Sequence, residues 1–265
     1  MATADVGGLP GGILVGEVTD LRQTGIRPGM SFVPSTDGWS IPSAGVGIDA
    51  SRAATWSPTL PAAATVRLTT ELARTVAAAR RHAADRAPAG GLAPMLSGSD
   101  RGGTEGRARG GDPWLTRARA LIGAQLEALR LGDVAAAVAP TVGLMGLGVG
   151  LTPSGDDYLV GLLAGMEATD DPPRHGLAAV IAGHAPLRTT AIGAAALGQA
   201  SRGAFAERLH DVLVALARGR PDQLAAPIER AMTYGATSGS DTLVGLFAAL
   251  DVALARSKRR PGAAA

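Results

Sequence analysis

Two segments of the chain, 84 residues apart, begin in the same way. SGDDYLVGLLAGM starts at Ser154 and SGSDTLVGLFAAL at Ser238. They agree at Ser154/Ser238, Gly155/Gly239, Asp157/Asp241, Leu159/Leu243, Val160/Val244, Gly161/Gly245, Leu162/Leu246 and Ala164/Ala248. In each, a serine precedes an aspartate by three positions, the spacing of a capping box. Ser154 and Ser238 are therefore expected as N-caps of two helices, each with an acidic first turn that meets the positive end of the helix dipole. Each helix carries a glycine a few residues in, Gly161 and Gly245. Such a glycine costs about 1 kcal/mol relative to alanine, so two at equivalent places point to backbones packed closely. The expectation is an internal pseudo-repeat, a helix pair with both N-termini turned to one site.

The first segment follows a glycine-rich turn. Gly146, Gly148 and Gly150 lead into Thr152-Pro153-Ser154-Gly155-Asp156-Asp157. Glycines before a helix let a ligand approach the backbone and point free N–H groups at it. Capping accounts for Ser154, Asp157, Ser238 and Asp241 without any ligand. It does not account for three glycines before Thr152, or for the extra carboxylate of Asp156, whose counterpart is Ser240.

A functional reading of this loop contains a conflict. Free N–H groups attract an anion, whereas Asp156 and Asp157 repel one. Three arrangements relieve it. Mg²⁺ could bridge the carboxylates to an anion, as hard oxygen ligands favour. The carboxylates could face a hydrogen-bond donor such as a carbamoyl NH₂. Or they could turn inward, leaving the glycine loop to hold the anion. The sequence leaves all three open. Candidate binding residues are Gly148, Gly150, Thr152, Ser154, Gly155, Asp156 and Asp157 in the first segment, and Ser238, Gly239 and Asp241 in the second. Arg188 and Arg202 flank a small-residue helix and are the candidate anion partners, with Thr189 as a hydroxyl donor at that helix's start. No catalytic residue is singled out.

The pattern GLGVGLTPSGDD, then an apolar helix, then a later TSGSD helix, resembles the AllH family. The resemblance runs from about Trp39 onward and is strongest from Gly146 to Leu250; Val149 stands where the family pattern has proline. It implies a subunit of oxamate carbamoyltransferase, working with FdrA-type and AllG-type partner subunits in purine and allantoin catabolism. The implied reaction is phosphorolysis of oxalurate to oxamate and carbamoyl phosphate, or its reverse. Ser154, Ser238 and the glycine loop would then bind the carbamoyl or carboxylate group, and N–H donors there would stabilise a developing oxyanion. The alternative is a non-catalytic structural or regulatory subunit that binds a small anion and its partners.

Other chemistries are poorly supplied. The glycine loop lacks the G-K-[ST] of a P-loop, and no β-α-β pattern frames it as a dinucleotide fingerprint. The chain has no cysteine, which removes thiol nucleophiles, disulfides and cysteine-ligated zinc. Its four histidines, His82, His175, His184 and His210, are dispersed and make no H-x-x-x-H pair, so no zinc site is expected. The net charge of +2 comes almost wholly from arginine, Lys258 being the only lysine, and no basic and aromatic patch marks a nucleic-acid binder. No signal peptide or bilayer-spanning run is evident, and a soluble cytoplasmic protein is the expectation.

The fold class expected is α+β. Residues 1–68 read as a small, mostly antiparallel β unit, with strands near Ile13–Val15 and Val18, Met30–Val33, Trp39–Ile41, Val46–Ile48 and Thr65–Leu68. A helix over 69–86 follows, capped by Thr69 or Thr70. Residues 87–111, rich in Gly, Ser and Arg, read as a flexible linker. Residues 112–256 form a helical domain that opens at Asp112-Pro113, with the clearest amphipathic stripe at Phe205, Leu209, Val212, Leu213 and Leu216. One helix is expected across Leu177–Gly198, and residues 257–265 form a tail. Aromatics are only 3% of the chain, so the core must be built from small aliphatic side chains.

Overall fold

The computed structural model describes residues 2–3, 7–15, 20–27, 29–97 and 112–259. The chain divides into two compact units, Met1–Pro58 and Thr59–Ala265.

The first unit carries the β structure. Strands β1 (Ala2–Thr3) and β2 (Leu14–Val15) make a short parallel pair. Strands β3 (Val33–Ser35), β4 (Gly38–Ile41) and β5 (Val46–Asp49) form an antiparallel meander in the order β3-β4-β5. Trp39 stands opposite Pro34 on one side and Ile48 on the other. Gly38 is required where the strands meet, because a Cβ there would fall 1.9 Å from the Ile48 carbonyl oxygen. The antiparallel sheet agrees with the sequence. The parallel pair was not anticipated, and Val18 lies outside the described residues. Thr65–Leu68 is not a strand and belongs to the second unit. Among the described residues no strand pairs with it; the Val66 amide instead donates to the Ala168 carbonyl at 3.0 Å.

The second unit is helical. Helix α1 (Thr70–Arg86) is capped by Thr69, which accepts from the Leu72 amide. Helix α2 (Pro113–Leu131) is capped by Asp112 with proline at its first position, and α3 (Val134–Leu144) by Asp133. Then come α4 (Ser154–Ala168), α5 (Pro173–Arg188), α6 (Ala191–Ser201), α7 (Glu207–Ala217), α8 (Ala225–Met232) and α9 (Ser238–Arg259). The helix expected across Leu177–Gly198 is therefore two. Thr189 is extended at the break, and the Thr190 hydroxyl accepts from the Gly193 amide to start α6.

Helices α4 and α9 form the centre of the unit and run side by side in the same direction. Apolar residues on nearly every side of both are buried, among them Leu159, Leu162, Leu163, Leu243, Leu246 and Leu250. A Cβ on Gly161 would lie 1.8 Å from the Thr242 carbonyl oxygen, and one on Gly245 would lie 1.9 Å from that of Tyr158. Further along, a Cβ on Gly165 would meet that of Ala249 at 2.7 Å. By length and composition α9 could cross a membrane, but it is mostly buried, the setting of a core helix.

The segment expected as a flexible linker is packed where it is described. Leu92 and Leu96 are fully buried in the core, on either side of a 3-10 turn at Ala93–Met95. The two leucines supply apolar anchors that the overall composition of the stretch hides. Residues 98–111, with Arg101, Arg107 and Arg109, lie outside the described residues, as do 260–265 of the tail.

Candidate functional site

The N-termini of α4 and α9 lie next to each other, and their serines do not cap their own helices. The N-cap of α4 is Pro153, whose carbonyl takes the Asp156 and Asp157 amides, and no side chain caps the helix. Ser154 and Ser238 are instead the first residues inside α4 and α9. Each serine faces a carboxyl of the opposite helix: Ser238 favours the charged form of Asp157, and Ser154 that of Asp241. The capping-box expectation is thus corrected. Both serines are buried where the two helices meet, inside the first turn and beside the other helix's carboxyl rather than at the N-cap position.

Thr152 completes this layer, with its hydroxyl 2.8 Å from that of Ser238. The Leu92 amide donates a 2.6 Å bond to Asp241 Oδ1. That approach depends on Gly91, at φ +54, where a Cβ would fall 2.3 Å from the same oxygen. Even so, Oδ2 of Asp157 and Oδ2 of Asp241 are buried atoms that accept no hydrogen bond.

Asp156 points elsewhere. Its carboxylate accepts from the Gly146 amide at 2.8 Å and from the Thr189 hydroxyl. It pins the glycine loop to the α5–α6 junction. Two further glycines make room. Gly146, at φ +71, would place a Cβ 2.4 Å from the Arg188 carbonyl oxygen, and Gly193 would place one 2.2 Å from Asp156 Oδ2. The Thr190 hydroxyl donates to the Leu151 carbonyl at 2.5 Å, closing the same junction.

Burial dominates the electrostatics. It pushes the Asp157 carboxyl up to about 8; Ser238 and Thr152 pull the other way, and the charges of Asp241 and Asp156 add to the rise. Asp156 and Asp241 are raised too, again mainly by burial. Tyr234 is raised by burial and by the negative charge of Asp157, with the Arg208 guanidinium opposing from 5.9 Å above its ring. A carboxyl that titrates near 8 can exchange a proton around neutral pH. The two unpartnered oxygens keep unused acceptor capacity.

The backbone donors expected to cradle an anion are largely engaged. The Gly155 amide donates to Leu147, Gly239 to Tyr234 and Asp241 to Thr237. Gly148 is half-buried and Gly150 is exposed at the loop tip, where a Cβ would meet nothing within 4 Å. Arg188 is exposed beside the loop. Arg202 is the C-cap of α6, about 18 Å along the axis from Thr190, and the fold does not bring it to the carboxylates. Among the described residues, no three or more His, Asp or Glu side chains stand where they could hold a metal ion. A Mg²⁺ bridge through both Asp156 and Asp157 has no support in this geometry, because Asp156 is committed to Gly146 and Thr189.

The family model for oxamate carbamoyltransferase subunit AllH matches residues 144–250. Over this segment, less than half of its length, the chain is similar to the AllH family. The AllH match spans the glycine loop, Asp156, Asp157 and the whole start of α9, and leaves the first unit, α1 and α2 outside it. No curated protein and no solved structure matches the chain.

Leu92, Gly91, Tyr234 and Gly193 also shape the surroundings of these carboxylates, and sequence reasoning missed them. Gly91 and Leu92 sit in a stretch that reads as linker, and only the tertiary fold carries them to Asp241. Tyr234 had a visible signal. It stands four residues before Ser238 and is one of only two tyrosines in the chain.

Proposed function

We propose that this chain is the AllH-type subunit of a carbamoyltransferase complex, and that the junction of α4 and α9 binds the carbamoyl or ureido end of the substrate. The observation that carries this reading is the pair of buried, unpartnered oxygens on Asp157 and Asp241. Acceptors of this kind suit an N–H-rich group better than an anion. Of the three arrangements open in the sequence, this favours carboxylates facing a donor, with Asp156 turned inward as a brace. The anionic end of the substrate would lie toward Gly148, Gly150 and Arg188. Asp157 then serves as the proton-exchanging group, oriented by Ser238 and Thr152, and Asp241 is its partner, set by Leu92 and Ser154.

The reciprocal serine–aspartate pairs support the further reading that the two segments are an internal repeat. The pairs Ser154–Asp241 and Ser238–Asp157 exchange under the same offset of 84 residues that aligns the two segments. So do the backbone approaches of Gly161 to Thr242 and Gly245 to Tyr158.

The surroundings of the loop favour partner subunits, of the FdrA and AllG types, docking over this end. Val149, Leu151, Leu187 and Ile192 are large apolar side chains left exposed around the loop and the α5–α6 junction. Such residues grouped near a site are the mark of an interaction surface. The test is phosphate-dependent cleavage of oxalurate by the complex reconstituted with either wild-type chain or Asp157→Asn. Loss of turnover with intact assembly supports the reading. Full turnover with Asp157→Asn would leave the chain as a structural subunit.

A further inference from the structure

A second site lies away from these carboxylates, about 15 Å further along α9 at Asp251. There α1, α2, α9 and the Ala93–Met95 turn enclose a groove of about 240 Å³. Helix α2 presents Arg119, Ile122, Gly123, Leu126 and Arg130 to it, at spacings that put all five on one face. The face has arginine at both ends and an apolar middle. Val244 and Phe247 of α9 extend the apolar floor.

The charge in the groove is not balanced. Arg80 is committed, 2.5 Å from Asp251 and stacked over Phe247 at 5.7 Å. Among the described residues, the ion-pair contact of Arg130 is a 3.5 Å one to Glu127 on its own helix. Arg119 has no ion-pair or hydrogen-bond partner among the described residues. Among the described residues, three arginines thus line the groove, and its one carboxylate is already used. Gly123 is the second observation. Glycine is unfavourable inside a helix, and here close packing does not explain it, since a Cβ would meet nothing within 4 Å. What the missing side chain provides is open space in the groove between the two arginines.

We propose that this groove binds a small organic oxyanion, with its charged head held by Arg119 and Arg130 and a short apolar body lying over Gly123 against Phe247. Arginine suits such a head because its planar fork can donate two hydrogen bonds to one phosphate or carboxylate. The space exceeds that of a bare inorganic ion, so the apolar body is part of the recognition.

Calorimetric titration of the purified chain with phenyl phosphate, benzoate and inorganic phosphate tests this. Saturable binding of phenyl phosphate or benzoate is expected, tighter than that of inorganic phosphate, and the stronger of the two identifies the preferred head. Arg119→Ala should weaken it about tenfold, as loss of a charge-assisted contact does. Gly123→Leu should abolish it. That position is exposed and leucine favours a helix, so the variant should melt at or above the wild-type temperature. Unchanged affinity in folded Gly123→Leu would overturn the proposal, as would the absence of saturable binding by both aromatic probes.

Discussion

Gly161 stands so close to Thr242 that a methyl group on its α-carbon would overlap the Thr242 carbonyl oxygen, at 1.8 Å. Gly245 stands in the same relation to Tyr158, at 1.9 Å. In both cases the obstacle is backbone, which no rotamer change can move aside. Gly161→Ala and Gly245→Ala should each destabilise the protein by about 1–3 kcal/mol, even though alanine is the better helix former. Urea denaturation checks this, and wild-type midpoints in both variants would contradict the packing.

The buried carboxyl of Asp157 gives stability a definite pH dependence. Its pKa is about 8 in the folded protein against an ordinary 3.8. The folded state therefore holds this proton more tightly than the unfolded chain does. The resulting stabilisation is fully present below about pH 3.8 and is lost as pH rises from there through about 8. Asp156 and Asp241 shift in the same direction and add to the loss. Wild-type stability should fall relative to Asp157→Asn between about pH 5 and pH 8. Parallel profiles for the two proteins would show that Asp157 is charged throughout.

Asp156 should behave as a brace. Its replacement by alanine leaves the Gly146 amide and the Thr189 hydroxyl without their acceptor. Such a loss costs about 1–3 kcal/mol. Hydrogen exchange at Gly146 should accelerate in Asp156→Ala while the Leu92 amide, held by Asp241, stays protected. Equal acceleration at both would mean that the two carboxylates act as one network.

Leu187 is 90% exposed at the end of α5, close to the glycine loop. Leu187→Glu should leave the melting temperature of the isolated chain nearly unchanged, within about 0.5 kcal/mol in stability. In sedimentation with partner subunits it should weaken assembly. Assembly at wild-type strength would place the partner on another face.

Much of this arrangement is legible in the sequence because it is local. Asp112-Pro113 starts α2, Thr69 caps α1, and Leu209, Val212, Leu213 and Leu216 are the buried face of α7, with Phe205 of the expected stripe buried just before the helix begins. The paired glycines announce a close helix contact because nothing else justifies their presence in two helices. What misleads is partner choice. Ser154 and Asp157 have the right spacing to satisfy each other's helix end, and only burial beside a second helix sends both across the gap. The same holds for Leu92, whose role depends on a residue 149 positions away. Sequence spacing reports what can bond along one helix; it is silent about a better partner brought in by packing.

Thr152 meets Ser238 across 86 residues. The entropy of closing so large a loop grows only slowly with its length, but contacts of this range form late compared with helix formation and short-range pairing. Until α9 docks, Asp157 lies in water as an ordinary acid; afterwards it sits in the interior with a pKa of about 8. Refolding at neutral pH should therefore draw protons from solution in its slow phase, an uptake that an indicator dye in a stopped-flow experiment can follow. The docking of α9 is then a titration as well as a packing event, and Asp157 acquires its raised pKa only when a contact spanning 86 residues closes.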